Sequence, residues 1–180
     1  MKKVAVFGNT GAGKSTLSKK LAEITDLPLY ALDKIQYKSG GEEVKYQDYR
    51  QIHNQILKSD KWIIDGYGCK DTLWSRLKAA DTLIYIDLPL FIHFVWVSKR
   101  LIKGLFNNPE GWPENSPVFK SSFNSYRTLI VCHRVLTPKY REYVGQTDEV
   151  KNIYHLKSIK SIAQFIAEIE HKNVKFRSTR

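Results

Sequence analysis

A glycine-rich segment near the N-terminus constrains the fold of this 180-residue chain more than any other feature. Residues 8–15 read GNTGAGKS and match the pattern G-x-x-x-x-G-K-S/T at every fixed position. The apolar run 4–7 precedes the segment, and Leu17, Leu21 and Ile24 follow it at helical spacing. A strand, a tight turn and a helix are therefore predicted, which is the arrangement that curls backbone N–H groups around a phosphate.

The same pattern assigns a role to each residue of this phosphate loop. Lys14 is expected to reach the β- and γ-phosphates of a nucleoside triphosphate, and the Ser15 hydroxyl is expected to bind Mg²⁺. The predicted nucleotide-binding residues are Gly8, Asn9, Thr10, Gly11, Ala12, Gly13, Lys14, Ser15 and Thr16. ATP and Mg²⁺ are thus the predicted cofactors, whereas the loop alone does not identify the reaction.

Length and charge limit the class of protein. A chain of this length is expected to form one domain, over residues 1–180. Neither a membrane span of about 20 apolar residues nor a signal peptide is recognisable, so a cytoplasmic protein with no membrane partner is predicted. Phosphate ligands would account for part of the formal net charge of +11. The basic tail, about 172–180, is either a nucleic-acid contact or a solvated end, and solvated ends are more common.

Short apolar runs alternate with helical stretches along the whole chain, as in a parallel sheet covered by helices on both faces. The predicted fold class is therefore α/β. The predicted strands are 3–7, 29–31, 62–64, 82–86 and 151–156. Predicted helices follow the phosphate loop and then cover about 46–57, 72–79, 89–104, 119–136, 137–144 and 159–169.

One long segment breaks this pattern. Three prolines and a glycine lie between Phe106 and Val118, and no regular element is expected there. A loop of this length in a compact domain is usually functional or disordered. We interpret residues of about 104–120 as a lid segment over the phosphates, with disorder as the alternative.

Acidic residues follow three of the predicted strands, at the edge where such sheets bind ligands. Asp65 and Asp87 each end an apolar run, and either would complete the Mg²⁺ shell. We favour Asp65 because Gly66 allows close backbone approach, whereas Asp87 would also serve as a helix cap. Asp33 is predicted to accept a proton from a substrate hydroxyl or to help hold Mg²⁺, with a turn residue as the alternative.

Phosphoryl transfer also needs cations that neutralise charge on the transferring group. Arg100 and Arg127 flank the lid segment on its two sides and are the predicted catalytic arginines, together with Lys14 and Asp33 as the other catalytic residues. Arg134 lies on nearly the same helical face as Arg127.

The segments GNTGAGKST, LDK at 32–34, WIIDG at 62–66 and IDLP at 86–89 resemble the adenylate-kinase-like group of P-loop proteins. Within that group the chain most resembles the DNA topology modulation proteins, which are small bacterial ATPase-like or kinase-like proteins. The resemblance implies a three-layer fold with a five-stranded parallel sheet in the order 2-3-1-4-5 and a mobile lid. Adenylate kinases are expected to follow the D-G pair with an aromatic residue, Pro and Arg, and this chain has Tyr67, Gly68 and Cys69 instead.

Two functions remain open at this level. The first is an ATP-dependent phosphotransferase that acts on a small-molecule or nucleotide acceptor, which the sequence does not identify. The second is an ATPase or nucleotide switch that associates with nucleic acid through its basic surface. Asp33 and the lid segment favour the first function, and a helix-turn-helix, zinc or RNA-binding pattern that would favour the second is not found. The sequence does not predict an oligomeric state.

Overall fold

A computed structural model describes residues 1–38, 42–104, 118–147 and 150–178 of the chain. Five parallel strands form one sheet with the spatial order β2-β3-β1-β4-β5. The strands are β1 (Lys3–Gly8), β2 (Leu29–Ala31), β3 (Trp62–Asp65), β4 (Thr82–Ile86) and β5 (Asn152–Leu156). The predicted α/β fold and the predicted strand order 2-3-1-4-5 are therefore confirmed.

Helices cover both faces of the sheet, because strands β1, β3 and β4 are apolar on both sides. The helices are α1 (Lys14–Thr25), α2 (Leu32–Gln36), α3 (Tyr46–Lys58), α4 (Lys70–Ala79), α5 (Leu90–Gly104), α6 (Val118–Gln146) and α7 (Ile159–Ser178). Helices α1 and α7 pack against one face, whereas α3, α4 and the C-terminal part of α6 pack against the other. The sheet and the helices on its two faces therefore form three layers, with one apolar core on each side of the sheet.

Three helices differ from the sequence-based expectations. Residues 137–144 were expected to begin a new helix at Pro138, but α6 continues through this residue to Gln146. Tyr140 is buried against Phe7 and Tyr85, so tertiary packing keeps the helix on the sheet despite the proline. Helix α2 was not expected, and α7 continues to Ser178 instead of ending at Ile169, so most of the basic tail is helical.

The expected lid segment, about 104–120, lies mostly outside the described residues. Helix α5 ends at Gly104 and α6 begins at Val118, and residues 105–117 between them are not among those described. The lid therefore stays a prediction. None of the described helices combines the length and the apolar composition needed to cross a membrane. Cytoplasmic localisation likewise stays a prediction.

Candidate active site

The phosphate loop connects the end of β1 to the start of α1 at the centre of the sheet edge. Gly11 and Gly13 have φ angles of +67° and +76°, a left-handed conformation that glycine adopts without strain. The Gly13 carbonyl then accepts the first hydrogen bond of α1, from Leu17 N at 3.0 Å. The loop is thus built as a strand, a tight turn and a helix N-terminus, which is the geometry that binds anions.

Asn9 connects the loop to its surroundings. Its side-chain Oδ1 accepts a hydrogen bond of 2.7 Å from the Thr10 amide, and its Nδ2 donates one of 3.2 Å to the Leu129 carbonyl on α6. The Asn9 carbonyl accepts a hydrogen bond of 2.8 Å from Lys14 Nζ. The lysine ammonium is therefore held against the backbone of the loop.

Lys14 lies in a crowded, partly desolvated environment. Burial lowers the pKa of Lys14, while the nearby carboxylates of Asp65 and Asp33 oppose that effect. Arg100 adds a like charge that also lowers this pKa. The structure therefore brings Lys14, Asp33, Asp65 and Arg100, which come from four separate segments of the sequence, into one electrostatic cluster.

The two acids of the cluster come from neighbouring strands. Asp65 ends β3 and is 3% exposed, and its Oδ1 has no hydrogen-bond partner among the described residues. Asp33 lies in the first turn of α2, directly after β2, and is accessible to solvent. Although part of the residue reaches solvent, desolvation of its carboxylate by the surrounding protein raises the pKa of Asp33, and the charge of Asp65 raises it further. Asp33 is thus a stronger base than an ordinary carboxylate.

The glycine loop after β3 is packed against Asp33. At Gly66, whose φ is +108°, an ideal Cβ would lie 3.2 Å from Asp33 Oδ1. Arg76, on α4, is fully buried and donates a hydrogen bond of 2.9 Å from Nη2 to the Gly66 carbonyl. Arg76 therefore holds this loop through its backbone carbonyl. Its guanidinium is buried and is not exposed for binding a substrate anion directly.

The two predicted catalytic arginines have different environments. Arg100 is half-buried on α5 and donates a hydrogen bond of 2.9 Å to Ser125 Oγ on α6. The charge of Arg100 lowers the pKa of both Asp33 and Lys14. Arg127 is exposed, because it lies two residues from the buried Ser125 and so on the opposite side of α6. The structure does not bring Arg127 to the cluster.

Asp87, the alternative Mg²⁺ acid, has other partners. Its carboxylate accepts hydrogen bonds of 2.8 and 2.9 Å from Arg141 and one of 2.9 Å from His155. Burial opposes ionisation of Asp87, but these hydrogen bonds outweigh it and lower the pKa. The carboxylate thus links β4 to α6 and β5.

Sequence reasoning missed the contact between α5 and the phosphate loop. His93, Trp96 and Val97 share one face of α5 and lie against the loop. Their i, i+3, i+4 spacing was a signal for a packed face. It did not indicate which element the face would contact.

A parallel sheet in this strand order, with a phosphate loop between β1 and α1 and an acid at the end of β3, defines the class of P-loop kinases. A shikimate kinase from Leptospira borgpetersenii serovar Hardjo-bovis, strain JB197, is 31% identical to the chain in a match of length 168; the match covers 83% of this chain and 91% of that protein. The chain therefore belongs to the shikimate kinase family. It is an ATP-dependent phosphotransferase that acts on a small molecule.

A solved structure shows the same fold. The shikimate kinase from Acinetobacter baumannii, in complex with shikimate, superimposes with a TM-score of 0.59 at 16% identity and covers 97% of this chain and 94% of its own. No protein-family model matches the chain. The narrower resemblance to DNA topology modulation proteins, and with it a nucleic-acid partner, stays a prediction.

Proposed function

We propose that this chain, as one nucleotide-binding domain over residues 1–180, transfers the γ-phosphoryl group of ATP to a hydroxyl group of shikimate or a chemically similar small acceptor. The observation that carries the proposal is the cluster of Lys14, Asp33, Asp65 and Arg100 at one edge of the sheet. The cluster supplies a phosphate-binding cation, a base, a candidate metal ligand and a second cation. The Leptospira relative supports shikimate as the first acceptor to test.

The donor side consists of the phosphate loop and its neighbours. The backbone N–H groups of residues 8–16 would bind the phosphates, and Lys14 would exchange its hydrogen bond with the Asn9 carbonyl for one with the β- or γ-phosphate. Such an exchange is favourable because a partly desolvated ammonium gains a charged partner. The loop geometry therefore fits a nucleoside triphosphate.

Ser15 and Asp65 are the residues that would hold Mg²⁺. The buried Asp65 Oδ1, which has no hydrogen-bond partner among the described residues, fits this role. The described residues contain no group of three or more His, Cys, Asp or Glu side chains arranged around a metal. Mg²⁺ bound through one or two protein oxygens plus phosphates and water is the usual arrangement in this class, and it would neutralise charge on the β- and γ-phosphates.

The acceptor side centres on Asp33. With its pKa raised, Asp33 would take the proton of the attacking hydroxyl more readily than an ordinary carboxylate. Arg100, which faces Asp33, would neutralise charge on the transferring phosphoryl group. Arg127 is the second proposed cation, and it would act only if α6 turned from its present orientation.

Acceptor-dependent ATP turnover tests the proposal. Release of ADP by the full chain is measured with Mg²⁺ and ATP, first alone and then with shikimate, other small hydroxylated acids, and nucleosides. We expect turnover to rise with shikimate or one of its analogues. Asp33→Asn should lower kcat by on the order of 10²-fold or more, whereas Asp48→Asn on the exposed face of α3 should not change it.

The alternative nucleotide switch makes the opposite prediction. ATP hydrolysis at the same rate with every acceptor, together with DNA binding at physiological salt, would overturn the kinase proposal. A steep loss of DNA binding on addition of salt would identify that binding as nonspecific phosphate contact.

A further inference from the structure

One face of α5 lies directly against the phosphate loop. An ideal Cβ at Gly11 would lie 2.6 Å from Val97 Cγ2 and 3.1 Å from the His93 carbonyl oxygen. An ideal Cβ at Gly13 would lie 2.7 Å from Trp96 Cζ3. The loop therefore has no room for side chains on this side, and α5 acts as a rigid support for it.

His93 is the polar residue of this contact face. Its ring is 2% exposed, with Nδ1 3.1 Å from the Thr10 carbonyl oxygen and Nε2 3.1 Å from the Leu88 carbonyl oxygen. The Ile92 amide, four residues after Leu88, donates to the Pro89 carbonyl and not to the Leu88 carbonyl. The imidazole of His93 is therefore the group that reaches the Leu88 carbonyl. His93 thus bridges the phosphate loop and the end of the segment that follows β4.

A neutral imidazole has only one N–H to give to these two carbonyls. Burial lowers the pKa of His93, and the charge of Lys14 lowers it further, while the carbonyls of Leu88, Thr10 and Gly11 oppose this. Lys14 is the charged group that acts on the ring. Both ring nitrogens face carbonyl oxygens, so the single N–H of a neutral His93 ring serves either the loop or Leu88.

The Thr10 carbonyl and the Gly11 N–H belong to the same planar trans peptide unit and point in opposite directions. A donor that holds the Thr10 carbonyl toward α5 therefore turns the Gly11 N–H away from α5. Peptide units next to glycine rotate easily, since glycine populates positive and negative φ almost equally. Without a donor at the carbonyl, this unit would lose a restraint on its orientation.

We propose that His93 is a positioning residue for nucleotide binding, because its Nδ1–H donates to the Thr10 carbonyl and so directs the Gly11 N–H toward the triphosphate. The proposal rests on the proposed function, since it assumes that the loop binds ATP. A phosphate oxygen bound to the Gly11 N–H would polarise the peptide unit and strengthen the hydrogen bond from His93. The two contacts would then reinforce each other across one peptide bond.

Two substitutions separate this role from a purely structural one. His93→Asn places an amide nitrogen near the position of Nδ1 and keeps a donor for Thr10. His93→Gln places an amide nitrogen near the position of Nε2 and keeps a donor for Leu88 instead. His171→Asn, at an exposed position on α7, is the control. The dissociation constant of Mg·ATP is measured by titration calorimetry on the full chain, with urea unfolding to correct for the folded fraction.

His93→Gln is expected to weaken Mg·ATP binding on the order of tenfold, whereas His93→Asn should stay within about threefold of wild type. Equal affinities for the two variants, or weaker binding by His93→Asn than by His93→Gln, would overturn the positioning role. A wild-type chain that does not bind Mg·ATP would overturn the proposed function itself. The Mg·ATP affinities of the two variants therefore test the role of His93 only if the wild type binds Mg·ATP.

Discussion

The guanidinium of Arg76 donates a hydrogen bond of 2.9 Å from Nη2 to the Gly66 carbonyl oxygen, and this contact joins α4 to the loop after β3. Burial lowers the pKa of Arg76, and its Nε and Nη1 have no hydrogen-bond partner among the described residues. A buried cation with incomplete pairing costs free energy in the folded state. We therefore expect Arg76 to position the Gly66–Gly68 loop beside Asp33 and to add little to the free energy of unfolding.

Replacing Arg76 by Met should separate these two effects. The free energy of unfolding is expected to stay within about 2 kcal/mol of wild type, since the apolar side chain removes the desolvation cost. The KM for the acceptor is expected to rise about tenfold, because the loop carbonyl loses its donor. Urea unfolding and steady-state kinetics measure both, with Lys78→Met on the exposed face of α4 as the control. An unchanged KM would argue against a positioning role.

Asp33 should give a pH dependence of defined sign. Burial, and then Asp65, raises its pKa in the folded chain, so the folded chain binds this proton more tightly than the unfolded chain. The contribution of Asp33 to stability therefore falls as pH rises through the interval between the two pKa values. The proposed base Asp33 would act only when ionised, so kcat should fall as pH is lowered through its raised pKa.

Asp33→Asn should consequently have a strongly lowered kcat but be more stable than wild type at neutral pH. The gain should shrink as pH falls and vanish below the ordinary carboxyl pKa of 3.8. Thermal unfolding across that range measures the effect, with Asp48→Asn as the exposed control. Parallel stability profiles for wild type and Asp33→Asn would contradict the assignment of a raised pKa.

Gly68→Ala should be strongly destabilising. The φ angle of Gly68 is +63°, and an added Cβ would overlap Tyr49 Oη. Backbone strain and overpacking together predict a loss of about 2–4 kcal/mol. Tyr49→Phe should recover part of the overpacking cost, because Leu32 Cδ1 would still lie 2.9 Å from the added Cβ; a double-mutant cycle in urea measures the recovered part. Gly145→Ala is the matched control, because no described atom beyond its chain neighbours and its own helix backbone lies within 4 Å of its added Cβ; a comparable loss there would contradict the clash at Gly68 as the cause.

Pro138→Ala should increase stability. Pro138 lies inside α6 and has no amide hydrogen for the carbonyl of Arg134 one turn earlier. Restoring that hydrogen bond and removing the steric clash predicts a gain of about 1–3 kcal/mol. The midpoint of urea unfolding measures it. A loss of stability would show that the proline conformation is required by the packing of Tyr140.

The sequence predicted the features that depend on local pattern. The phosphate loop, the five strands and the acids at their ends all follow from short-range periodicity and from the rule that parallel strands share one edge. The break expected at 137–138 was wrong, because burial of Tyr140 on the sheet outweighs the local preference of proline. Helix α2, with five residues, is too short for a helical period to be recognised.

Side-chain orientation could be predicted only in part. Arg100 and Arg127 look equivalent on either side of the lid segment, yet their positions on α5 and α6 place one beside Asp33 and the other in solvent. That difference depends on how the two helices pack against each other. The partner of His93 depends on the same packing, and a single sequence contains no signal for it.

The contact between Trp96 and Gly13 also places a fluorescent side chain beside the phosphate loop. An indole ring this close to the loop, with Cζ3 2.7 Å from an ideal Cβ at Gly13, lies in the electric field of whatever occupies the loop. Arrival of a highly charged ligand would shift its emission. The protein thus contains an intrinsic fluorophore beside its phosphate loop, through which millisecond binding events could be followed without attaching a dye.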